Sequence, residues 1–223
     1  DKKVVDALLV PMAIPGGSVA PMLVRDAAAL DQADPLAPVL PINAARAASM
    51  LTLTGHREKL GVVLRSCEIR ALVELVKFQQ ANLPSPSQGT GDDVLIVGID
   101  CLGAYKVADW QKAKADLAPT LAGAATGEVK PLDGLQLRVA CQICEQPLPE
   151  GEHVALTIGL VGVEAGKLYL KARDDLAQAL ELAAGDAPAG RAKAIEKLVT
   201  ARTQARDAAM AEFRGRVHSM DGL

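Results

Sequence analysis

Four cysteines, Cys67, Cys101, Cys141 and Cys144, carry the chemistry open to this sequence. Cys67 follows the apolar run 60–64 and opens a helix-like segment. In that segment Ile69, Leu72, Val73 and Val76 recur at i, i+3, i+4 and i+7, the stripe of a core-facing helix. Cys101 stands at the end of the run 94–100, and Cys141 ends the run 135–140, with Cys144 following at CxxC spacing. Four thiolates can hold a 4Fe–4S cluster or a structural zinc. A single free cysteine is also an ordinary small core residue. Pro147 and Pro149 bar a helix directly after the CxxC, which sets the pair apart from a thioredoxin-type dithiol. Zinc sites favour two short-spaced pairs, and only one exists here, so the cluster ranks above zinc. A helix N-terminus at Cys67 would favour the negative charge of a ligated thiolate. Three further residues are candidate cofactor contacts. Arg65 and Glu68 flank Cys67, with a surface or capping role as the alternative. Asn43 is also a plausible N-cap for a helix over residues 44–53.

The elements that must position these thiols read as alternating strand and helix. Buried strands are expected at residues 4–12, 60–64, 93–99 and 135–140. Residues 19–41 carry four prolines and read as irregular with one short helix. Residues 102–121 read as weakly helical and 122–134 as a Gly/Ala turn region. Segments 154–161 and 167–170 read as a hairpin, followed by helices over 174–184 and 191–214. On the long helix, Ile195, Leu198, Val199, Ala209 and Phe213 fall on one side, and its seven Lys/Arg against three Asp/Glu over 191–216 read as a solvated face. The fold class is α/β: an open, largely parallel sheet with flanking helices, a C-terminal hairpin and a long C-terminal helix. In such sheets ligands bind outside the carboxyl ends of the strands, where the cysteines are expected. The organisation expected is an α/β cysteine domain over residues 1–165, with the strand and helices of 166–223 packing on it.

Composition narrows the function class. Half of the 223 residues are hydrophobic, enough for a sizeable core. One Trp, two Tyr and two Phe are too few for a single-stranded nucleic-acid platform, which needs stacking rings. A net charge of −3 gives no basic field for nucleic acid or an anionic membrane. No apolar run approaches the roughly 20 residues of a membrane span. Asp1-Lys2-Lys3 lacks the pattern of a secretory signal, so a cytoplasmic, reducing compartment is expected. A first residue other than Met is what a piece of something longer would show. Among the histidines, His56, His153 and His218, none is close enough to another in sequence to suggest a local metal pair. There is no P-loop and no GxSxG, and the glycines of 159–166 sit in a hairpin instead of between a strand and a helix.

The stretches Arg65-Ser66-Cys67-Glu68-Ile69-Arg70, Val97-Gly98-Ile99-Asp100-Cys101-Leu102-Gly103 and Cys141-Gln142-Ile143-Cys144-Glu145-Gln146-Pro147 together resemble the beta-subunit family of deazaflavin-coenzyme-reducing hydrogenases and dehydrogenases. That family includes bacterial members associated with formate dehydrogenase. The resemblance is best over residues 4–165. It implies an α/β flavoprotein, with FAD and a 4Fe–4S cluster, that exchanges a hydride with a soluble carrier and passes single electrons to other subunits of a redox complex. The carrier that the resemblance implies is a deazaflavin or a nicotinamide. Cys67, Cys101, Cys141 and Cys144 match the family's cluster ligands. Ser66 stands where the family usually has proline, and Ala155 where an acidic residue is expected. The rival reading is a zinc-stabilised or metal-free interaction subunit of an oxidoreductase complex.

Overall fold

The computed structural model describes residues 4–53, 58–83, 94–113 and 116–218. Its centre is a six-stranded sheet in the order β2-β1-β3-β4-β5-β6. The strands are β1 (Ala7–Ile14), β2 (Ser18–Val24), β3 (Leu60–Arg65), β4 (Val94–Ile99), β5 (Val154–Gly159) and β6 (Tyr169–Ala172). β1, β3, β4 and β5 run parallel, and β2 and β6 pair antiparallel at the two edges. The helices are α1 (Ala44–Leu53), α2 (Ser66–Lys77), α3 (Val107–Ala113), α4 (Ala118–Thr126), α5 (Val139–Gln142), α6 (Asp174–Leu180) and α7 (Arg191–His218). The fold is thus an open, mostly parallel α/β sheet with flanking helices, a β5–β6 hairpin and a long C-terminal helix.

β3 lies in the middle and every one of its residues is buried. Its near-continuous apolar composition follows, because a central parallel strand has no solvent face. Alternate residues serve opposite layers. Leu9, Leu60, Val62, Leu64 and Ile96 pack against Ala44, Ala45 and Ala48 of α1 and Ile69 and Leu72 of α2. Small side chains on α1 let that helix lie close. The other face joins Val10, Met12, Val63 and Ile99 to Leu30, Leu36 and Leu102. Leu72 is fully buried at the centre of the first layer, and burial of a leucine there stabilises by roughly 1.5–3 kcal/mol.

Several expectations are corrected. Residues 18–24 form strand β2 rather than an irregular stretch. Pro21 sits opposite Pro11 in the antiparallel ladder, and an edge strand tolerates a residue that cannot donate. The segment 135–140 is no strand of the sheet. Tyr105 bridges Leu137 antiparallel, and Val139 then begins the single turn α5. The place beside β4 is taken by β5, whose pairing is parallel. The turn region after residue 122 is partly helical, since α4 runs to Thr126 and ends on Gly127 in the left-handed conformation (φ 76°). On α7 the buried stripe is Arg191, Ala194, Leu198 and Arg202, whereas Phe213 is exposed. Residues 54–56, 84–92 and Asp93 lie outside the described residues, and so does the reading of His56 as a loop residue.

Candidate functional site

Parallel pairing sets the first two thiols. In the β3–β4 ladder Arg65 is opposite Ile99. Cys67 and Cys101 therefore each stand two residues beyond the last matched pair, on strands about 4.8 Å apart. Cys67 enters the first turn of α2, where free backbone N–H groups face the site. Cys101 enters a loop, and its own amide donates to the Pro147 carbonyl at 2.7 Å. That bond ties the strand end to the segment after the CxxC.

The second pair of thiols is held by long-range contacts. The Arg138 amide donates to the Ala104 carbonyl (2.8 Å), and the Cys141 amide donates to the Arg138 carbonyl (2.7 Å), which winds α5. The CxxC straddles the end of this turn, so it closes a helix instead of opening one. Pro149 lies across β4 directly against Gly98, and any side chain at Gly98 would collide with the proline ring. From the far end of the sequence, α7 packs over this loop. Arg202 is buried, and its two terminal nitrogens donate to the carbonyls of Cys144 and Cys101, each at 3.3 Å. Thr203 donates to Glu145 at 2.6 Å, and Arg206 pairs with the same carboxylate.

Behind Cys101 lies a buried ion pair. Asp100 accepts from the amides of Leu160 (2.9 Å) and Val161 (3.0 Å) and from Arg191 (2.8 Å). Arg191 also donates to the Val161 carbonyl at 2.5 Å and lies over the Tyr169 ring at 5.2 Å. Gly162 (φ 72°) leaves room for the Arg191 backbone, which a Cβ there would strike. Oδ2 of Asp100 takes all three of these bonds and Oδ1 accepts from Arg191 at 3.3 Å, so the buried charge is paired and hydrogen-bonded.

All four thiols are half-buried. Burial pushes the Cys67 thiol up to about 11; the Cys101, Glu68 and Cys141 charges add to this, while Arg65 opposes it. Burial also raises Cys141, with a bond from the Ala104 backbone opposing and the charges of Cys101 and Cys144 adding. The Cys101–Pro147 and Arg138–Ala104 main-chain bonds tie the CxxC segment to the loop that follows β4. Among the described residues no group of three or more His, Cys, Asp or Glu side chains is arranged to hold a metal ion. The donor chemistry still fits a thiolate-ligated centre, and metal binding and local ordering are coupled at such sites.

The three candidate cofactor contacts have partners inside the protein. Asn43 caps α1, its side-chain oxygen accepting from the Ala45 amide at 3.0 Å. Glu68, buried, accepts from the Ala44 amide (2.7 Å) with one oxygen and from the Arg65 amide (3.0 Å) with the other. It thus joins the N-termini of α1 and α2, the second as the reciprocal half of a capping box. Burial raises its pKa against the pull of those two amides. Arg65, also buried, donates to the Ala37 carbonyl. The cavity beside it, lined by Ile99, Asp100, Gly103, Tyr105 and Thr120, has a volume of about 30 Å³. That is water-sized, and an isoalloxazine ring does not fit it.

Asp100, Arg191 and Arg202 are absent from the set read off the sequence. One signal marks the arginines: both fall in line with Ala194 and Leu198 at three- and four-residue spacing, so the apolar stripe of α7 begins and ends in arginine. A cation on a core-facing stripe needs an internal partner.

The chain matches no known family model. Over 132 residues it is 30% identical to the protein named F420-dependent formate dehydrogenase 1 subunit beta of Methanococcus maripaludis. The match covers 49% of this chain and 32% of that protein, so the chain spans about a third of the length of the curated relative it matches. Among the described residues no helix is long and apolar enough to cross a membrane.

Proposed function

We propose that this chain is an iron–sulfur redox subunit, or part of one, that passes electrons between a hydride-carrying cofactor and a partner subunit of a dehydrogenase-type complex in the cytoplasm. The observation that supports this reading is the placement of Cys67 and Cys101 two residues beyond the matched ends of β3 and β4, with the CxxC segment tied to the Cys101 loop by the Cys101–Pro147 bond and by Arg202. The four thiolates would hold a 4Fe–4S cluster, which supplies one-electron chemistry. The α2 N-terminus and the buried Arg65 and Arg202 place positive charge around an anionic centre. Half-burial of the thiols limits water at the site, a lever on reduction potential.

The relative's name makes the deazaflavin F420 the first candidate carrier, with a nicotinamide as the alternative. A hydride brings two electrons and must be split before a one-electron relay can take them, which is the work of a flavin. In this proposal the FAD sits outside the Arg65 cavity.

The test is anaerobic purification followed by iron, sulfide, zinc and flavin analysis. About four iron and four sulfide per chain are expected, and Cys67→Ser should bleach the broad visible absorption. Stoichiometric zinc without iron would replace this reading with a structural zinc subunit.

A further inference from the structure

We infer that Arg202 is a positioning residue of the cysteine site: one buried guanidinium holds the Cys101 and Cys144 segments together and keeps a positive charge against them. The cluster part of this inference rests on the function proposed above, and the bracing part stands without it. Arg202 is 6% exposed. Its partners are the main-chain carbonyls of two of the four cysteines, which lie 43 positions apart in sequence and on different elements. No carboxylate neutralises it among the ion pairs of the described residues, whereas Arg191 is matched to Asp100 and Arg206 to Glu145 and Asp207. Arg202 therefore brings net positive charge into the site.

Helix α7 can hold this arginine still because it is pinned on either side of it. Arg191 is locked to Asp100, one residue before Cys101, and Thr203 and Arg206 grip Glu145, one residue after Cys144. The planar fork of a guanidinium reaches two carbonyls at once, and a lysine ammonium is a point charge that does not reproduce that geometry. Cys67 has no partner on α7 among the described hydrogen bonds; its place comes from β3 and α2. Geometry and charge can thus be separated by substitution.

Two readouts test this. In the metal-free chain, Arg202→Gln should raise the iodoacetamide alkylation rates of Cys101 and Cys144 about tenfold, since reactivity follows thiol access, and leave Cys67 within about twofold. Arg202→Lys should show the same selective exposure. Lys197→Gln, which breaks the surface pair of the same helix with Glu128, should change none of them. In the iron-loaded protein, Arg202→Gln should shift the reduction equilibrium about tenfold towards the oxidised form, about 59 mV for one electron, and Arg202→Lys should restore it. Equal acceleration at all four cysteines, or at none, overturns the brace. An unchanged potential in an iron-loaded Arg202→Gln protein overturns the charge role. A wild-type chain that never binds iron removes the proposed function and the charge role together, while the alkylation pattern still decides the brace.

Discussion

The β3–α2 junction and the CxxC loop each carry cysteines of the candidate site, and they are built in opposite ways. At the junction every restraint on Cys67 is local or sits in the sheet: the parallel ladder, the capping box of Arg65 and Glu68, the buried stripe of Ile69 and Leu72. At the loop the restraints come from elsewhere, namely Pro147 bonded to Cys101, Pro149 seated on Gly98, and Arg202 reaching back from α7. Regular secondary structure fixes the first region. A few long-range contacts hold the second, so single substitutions far from the cysteines should reach it.

The largest effect is expected where the long-range side is anchored. Asp100→Ala leaves Arg191 buried without its counter-charge, together with two unpaired amides. It should destabilise the chain by about 3–5 kcal/mol in urea unfolding. Next, Gly98→Ala forces Pro149 off β4. A cost of about 1–3 kcal/mol is expected, with faster alkylation of Cys141 and Cys144 than of Cys67. If all four accelerate alike, the two regions are not independent. On the local side, Asn43→Ala removes the α1 cap and should cost about 1 kcal/mol, measured in the same way, with thiol reactivity unchanged.

The local side also carries a pH dependence. In the metal-free chain the Cys67 thiol titrates in the fold at about 11 against an ordinary 9.0, because burial disfavours the thiolate. The fold therefore prefers the neutral thiol. That contribution is fully present below pH 9 and is lost as pH rises towards 11. The wild-type unfolding midpoint should fall relative to that of Cys67→Ala as pH rises from 9 towards 11, and the difference between them should be constant below pH 9.

The same contrast explains what could be read in advance. The strand-to-helix change at Cys67 is a period switch within a dozen residues, and it is visible in the chain itself. So is the hairpin after Val154, with its glycines between two apolar runs. β2 was obscured because Pro21 reads as a breaker, and only the pairing with β1 shows that it lies on an edge. The run before Cys141 has strand-like composition, yet β5 occupies the position beside β4. No local pattern reveals which of two runs will win a place in a sheet. Arg202 looked like one more charge on a solvated helix, since its partners lie 101 and 58 positions away.

That sequence separation bears on the order in which the molecule can be completed. A chain emerging from the ribosome makes its N-terminal contacts first. Cys67 and Cys101 can be aligned once β3 and β4 have paired. The contact between Arg202 and the carbonyls of Cys101 and Cys144 waits for the last helix, and closing so long a loop is slow compared with forming local turns. Until α7 docks, the Cys101 and Cys144 segments lack the arginine they share, so this part of the molecule is the last to be completed.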